Sequence, residues 1–167
     1  MKISLLILAL SVAASLPAAA DKMRETAISL GVLLPTDVDT RHRTGSALLS
    51  GELRYALPAA ASANTRTILI GTAATSNRAA EGSAIVSVTA GQVFSPDSRR
   101  SPLEPRTAYI GAGVGVYGMD LRFVHAFARV GGYVEAGYNL NSSLFVSTQY
   151  RFVDQGSGVS VLLGTRF

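Results

Sequence analysis

From residue 26 onward, apolar side chains recur at every second position, in stretches separated by polar or proline-containing segments. A period of two is the mark of strands, whose side chains point alternately to opposite faces. Thr26 to Leu34 sets Ile28, Leu30, Val32 and Leu34 against Ala27, Ser29, Gly31 and Leu33. Ser46 to Leu57 sets Ala47, Leu49, Gly51, Leu53 and Tyr55 against Leu48, Ser50, Glu52 and Arg54. Thr65 to Ala73 reads as a weaker third strand whose facing the pattern leaves open. Ser83 to Val93 places Ala84, Val86, Val88 and Ala90 opposite Ile85, Ser87, Thr89 and Gly91. Arg106 to Gly118 is the clearest case, with Ala108, Ile110, Ala112, Val114 and Val116 opposite Tyr109, Gly111, Gly113, Gly115 and Tyr117. Arg129 to Leu140, Ser143 to Val153 and a last strand ending at Phe167 complete a predicted set of eight.

The segments between these strands read as connections. Pro35 to Gly45 is a long polar loop, Pro58 to Asn64 a turn, Thr75 to Gly82 a polar loop, and Met119 to Ala128 a loop with two Phe. Phe94 to Pro105 carries three prolines and Arg99-Arg100, Asn141-Ser142 makes a tight turn, and Asp154 to Gly156 is short. No helical period separates the strands, so neighbours are expected to be antiparallel, because parallel pairs need long crossovers. A chain of 167 residues supplies one domain, and eight strands at about 9 to 11 residues each fill it. The last strand needs a partner for its edge, and the first, Thr26 to Leu34, is the one left to close against it.

Alternation alone does not say which face is inside. One face is apolar throughout, while the other carries Glu52, Arg54, Arg129, Glu135, Gln149, Arg151 and Arg166 amid Gly, Ser and Tyr. A soluble sandwich or a secreted lipocalin-like binder would turn the apolar face inward. An outer-membrane barrel would turn it outward and hold the polar face in its lumen. Two further features favour the second arrangement. Met1 to Ala20 has the form of a secretory signal peptide: Lys2, an apolar run from Ile3 to Leu16, and Ala18-Ala19-Ala20 before Asp21, which leaves 21–167 as the barrel domain. The chain also stops on an aromatic, Phe167.

Composition narrows the chemistry. The net charge of +4 rests on scattered arginines, with no basic stripe of the kind that binds nucleic acid. Zero Cys excludes disulfides, thiol catalysis and Cys-ligated zinc. No cofactor or metal is expected.

On these features the chain resembles the small eight-stranded outer-membrane β-barrels of Gram-negative-type bacteria, the OmpA/OmpX-like superfamily, over the whole of its mature length. The most specific likeness is the last strand, where Val159, Val161, Leu163, Thr165 and Phe167 resemble the family's assembly signal. The resemblance implies periplasmic chaperones and the barrel-assembly machinery as partners, outer-membrane lipid as surroundings, periplasmic termini, and a monomer. Two features depart from the family: there is no Trp for the aromatic girdles, and Phe94 to Pro105 is longer than the usual periplasmic turn.

Candidate chemistry is sparse. Gly113-Val-Gly115-Val-Tyr-Gly118 matches a dinucleotide fingerprint as a string, but the pattern continues as a strand and offers no helix N-terminus to a pyrophosphate. Gly111, Gly113 and Gly115 are read instead as room for bulky inward Arg and Tyr. His42 and His125 fall in outward loops; Asp120 precedes His125 by five residues, and Phe127 stands where lipid A-modifying barrels carry a Ser two residues after the His. Glu52, Arg54, Arg129, Glu135, Arg151 and Arg166 form the expected lumen network, because buried charges must pair or cost several kcal/mol each. Such a network plugs a narrow barrel or gates it. The function expected is a non-enzymatic envelope barrel with a structural or surface-interaction role. The alternatives are a narrow channel or transporter for small molecules, hydrophobic ones included, a lipid A-modifying enzyme, and the secreted lipocalin-like binder.

Overall fold

A computed structural model describes residues 26–57, 63–76, 83–120 and 127–167, so the signal peptide assigned to Met1 to Ala20 lies outside the described residues. The strands are β1 (Thr26–Pro35), β2 (Leu48–Ala56), β3 (Thr65–Ser76), β4 (Ala84–Phe94), β5 (Ala108–Asp120), β6 (Phe127–Asn139), β7 (Leu144–Phe152) and β8 (Gly158–Arg166), with one short helix, α1 (Val38–Thr44), after β1. Each strand pairs antiparallel with its neighbours in sequence, and β8 pairs with β1 from Ala27↔Arg166 to Pro35↔Gly158, closing the barrel.

The register sets the bore. From Arg129 the pairing runs through Tyr117, Ser87, Thr72, Glu52, Ser29, Gly164 and Phe145, and returns to β6 at Asn139, ten residues along (129 to 139). Eight strands with that stagger tilt steeply and leave an interior that side chains fill.

The apolar face points outward. Leu30, Leu49, Val88, Val114, Val130 and Leu163 are all more than half exposed, whereas Glu52, Arg54, Glu135 and Arg151 are buried inside. This is the reverse of a lipocalin-like binder in water. It also fixes the facing of β3, which the sequence pattern leaves open: Ile68, Ile70, Thr72 and Ala74 point in.

Three connections differ most from the sequence reading. The segment from Pro35 to Gly45, read as plain loop, contains α1. Asp37 caps it, accepting from the Thr40 amide at 2.8 Å and the Thr40 hydroxyl at 2.6 Å, and these bonds hold its carboxyl below the usual carboxylate range. Seven residues are too few to display a helical period. Strands β3 and β5 extend to Ser76 and Asp120, and β6 begins at Phe127, so the connections read as Thr75 to Gly82 and Met119 to Ala128 are shorter than expected. Met119 simply continues the inward row after Tyr117.

The interior is layered. Leu33, Leu48, Ala74, Ile85, Tyr117, Met119 and Val153 form one apolar cluster, nearest α1. Ala56, Ile68, Ile70, Val93, Tyr109 and Tyr133 form a second. Along β2 the order Leu48, Ser50, Glu52, Arg54, Ala56 shows the charged level lying between the two.

The inward glycines make room unevenly. A Cβ on Gly113 would lie 2.5 Å from Tyr133 Cε1 and 2.5 Å from the Ala90 carbonyl oxygen, and one on Gly111 would lie 3.1 Å from Glu135 Cγ. Gly111 and Gly115 depart from the expected room for Arg or Tyr, since the nearest neighbours are Val93, Gln92 and Glu135 for the first and Val88 and Thr89 for the second. Gly113→Val is expected to cost about 1–3 kcal/mol by overpacking, read by urea unfolding of the refolded protein in micelles. Gly71→Val, where a Cβ meets nothing within 4 Å, serves as control, and equal costs at the two sites would contradict this packing.

Candidate functional site

The charged level is built by three strands that face one another across the lumen. Strand β2 presents Glu52 and Arg54 two residues apart, hence on one face; β6 presents Glu135; β7 presents Ser147, Gln149 and Arg151. Arg54 donates from Nε and Nη2 to Glu52 Oε2 at 3.0 and 2.8 Å, and from Nη1 to Glu135 Oε2 at 2.8 Å. Arg151 donates from Nη2 to Glu52 Oε1 at 2.7 Å and from Nε to Gln149 Oε1 at 2.7 Å. Glu52 therefore spends its two oxygens on two guanidiniums, and the chain runs Glu135, Arg54, Glu52, Arg151, Gln149. Two carboxylates balance two guanidiniums, which is the condition for keeping ions out of water without a large penalty.

Of the six residues expected in the lumen, Glu52, Arg54, Glu135 and Arg151 form this chain, Arg166 is buried beside it, and Arg129 lies outside. Arg166 sits at the mouth near Thr26, with its guanidinium 4.7 Å from the centre of the Phe145 ring, while Arg54 lies 5.4 Å from the same ring. Phe145 thus has a cation near it from each of two levels, a favourable placement because the ring face is electron-rich. Arg129 does not join the lumen network: it is exposed, pairs with Asp154 at 3.4 Å and stacks over Phe127 at 4.8 Å. Its parity is that of the inward row, but it stands so near the start of β6 that the row has already left the barrel.

Sequence reasoning gave no role to Ser147, which accepts from Arg54 Nη2 at 3.3 Å, or to Asn139, whose side chain reaches the long connection before β5. Ser147 shares the parity of Gln149 and Arg151, and Asn139 that of Glu135, so both facings were readable, while the partners of Asn139 were not.

His42 lies exposed on α1, and His125 falls outside the described residues. Among the described residues no three His, Asp or Glu side chains are grouped so as to hold a metal. What the buried chain of ions can do is strut the barrel, tying β2 to β6 and β7 across the lumen.

The described strands form a closed antiparallel barrel of eight, apolar outside and salt-bridged within, which is the architecture of a small up-and-down β-barrel. No family model matches the chain, and no curated protein does. Among solved structures the barrel is similar to Neisserial surface protein A, with a TM-score of 0.54 and 13% identity over 84% of this chain and 93% of that one. It is similar also to Ail, the attachment invasion locus protein of Yersinia pestis, with a TM-score of 0.46 and 17% identity over 87% of this chain and 99% of that one. The likeness to the Neisserial protein is one of fold.

Removing one member of a buried ion set leaves its partners uncompensated. Glu52→Ala, which strands two arginines, is expected to lower stability by about 3–5 kcal/mol in micelle unfolding, and more than Glu135→Ala, which strands one. The reverse order would contradict the bonding described.

Proposed function

We propose that the protein is a non-enzymatic outer-membrane β-barrel whose role is structural or surface-interacting, acting through the connections at the α1 end. The observation that carries this reading is the inverted facing: an apolar belt around a buried ion network. In water such a belt far exceeds the few hundred Å² of contiguous apolar surface that a soluble monomer tolerates. In lipid it is the stable arrangement, and closure of β8 on β1 leaves no backbone edge unsatisfied. Strands of 9 to 13 residues suit a tilted span.

The lumen supports a plug over a pore. Eight strands leave little bore, and the ions are sealed between two apolar layers. On this reading Met1 to Ala20 directs export, the mouth near Thr26 faces the periplasm, and α1 with its neighbouring connections faces outward. The outward row Val159, Val161, Leu163, Thr165 and Phe167 is the part offered to the barrel-assembly machinery. The fold relative from Neisseria is by its name a surface protein, which fits a role at the cell exterior.

The test is electrophoretic and electrical. Protein extracted from the membrane fraction should migrate faster unheated than boiled, as a folded barrel does, and should give no stable conductance steps in a planar bilayer. Identical mobility with recovery from the soluble fraction would overturn the membrane assignment. Sustained conductance would move the role to that of a channel.

A further inference from the structure

The connection 95–107 between β4 and β5 is folded, and it is folded into the barrel. Ser95, Ser101, Pro102 and Thr107 are buried, and Leu103 packs against the apolar cluster of Ala56, Ile68, Ile70, Val93, Tyr109 and Tyr133. The segment organises itself through short polar bonds. The Ser101 amide donates to Glu104 Oε1 at 3.0 Å, the Leu103 amide to Ser101 Oγ at 3.3 Å, and the Glu104 amide to the Ser101 carbonyl at 3.0 Å.

One residue of the barrel wall grips it. Asn139, wholly buried at the end of β6, donates from Nδ2 to the carbonyls of Pro102 at 2.8 Å and Glu104 at 2.7 Å. Its backbone exchanges two further bonds with the segment, Arg106 N to Asn139 O at 2.8 Å and Asn139 N to Thr107 O at 3.0 Å. Arg166 Nη1 donates to the Leu103 carbonyl at 3.4 Å. Above Pro102 and Leu103 lies a cavity lined by Arg54, Ala56, Ile68, Tyr109, Phe145 and Arg166. The two mouths are thus closed differently. At the α1 end, strand side chains such as Leu33, Leu48, Ile85 and Met119 fill most of the bore, with Val153 from the connection after β7. At the Thr26 end, Pro102 and Leu103 from a connection help to line and cover the remaining space.

We propose that the connection 95–107 is a plug that shuts the Thr26-end mouth of the lumen, and that Asn139 is the latch holding it. The plug keeps water from the cavity beneath the ion network, and cutting the latch opens that cavity from one side only. The proposal does not depend on which way the barrel sits in a membrane, so it stands or falls separately from the functional reading.

The absence of native Cys permits a direct test. Ile68→Cys places a single thiol on the cavity wall of the full chain refolded in micelles, and its reaction with the small anion sulfonatoethyl methanethiosulfonate is timed. With the native connection the thiol should react slowly. Adding Asn139→Ala should speed it about tenfold or more, as loss of two buried hydrogen bonds implies, and Leu103→Ser with Asn139 intact should do the same. Heat-modifiable mobility confirms that each variant remains a barrel. Rapid reaction with the native connection would overturn the plug, and equal slow rates in all variants would overturn the latch. Without any substitution, hydrogen exchange at the Arg106 amide should be strongly slowed; exchange at free-peptide rates would equally overturn the proposal.

Discussion

Closure of β8 on β1 is the constraint from which the rest of the molecule follows. Nine register pairs, from Ala27↔Arg166 to Pro35↔Gly158, join the two ends of the sheet and leave it without an edge. Once the sheet is closed with its ten-residue stagger, every strand has one face in a narrow bore and one face outside. Period two then decides the whole chemistry of the molecule, because a residue's parity fixes whether it meets the lumen or the surroundings. A slip of one residue at the seam would turn one of the two strands over relative to the other, putting Leu30 and Arg166 on the same face.

The bore must be filled, and what fills it explains why charges are tolerated there. Glu52, Arg54, Glu135 and Arg151 bond to one another at 2.7 to 3.0 Å, and the Arg54–Glu135 and Arg151–Glu52 bonds reach across the lumen between strands that are not neighbours in the sheet. The apolar layers on either side exclude water from these bonds and so strengthen them. The same exclusion raises the cost of breaking any one of them, which makes the network a strut. The two ends of the bore differ in degree: strand side chains with Val153 close one, while the other borrows Pro102 and Leu103 from a long connection held by Asn139.

Much of this was legible in the residues, and for a physical reason: alternation is a local property, and it survives without knowledge of partners. The division of β1, β2, β4 and β5 into two rows follows from parity alone, as does the placing of Glu52 beside Arg54. Strand β3 was not readable, because Ile68, Leu69 and Ile70 are apolar on both faces. Helix α1 was hidden because seven residues held by an Asp37 cap leave no period. Arg129 misled because parity says which face a residue is on but not how far along the barrel it stands. Asn139 was invisible, since its role exists only once β6 and the connection 95–107 are side by side.

The central claim is that the apolar face meets lipid while the charged face meets itself. The chain has no Trp, so single substitutions to Trp report one position at a time. With the barrel refolded into vesicles containing brominated lipid, fluorescence from Leu30→Trp, Val114→Trp and Leu163→Trp should be strongly quenched, and that from the inward Tyr117→Trp should not. Quenching confined to the inward position, or equal at all four, would contradict the account.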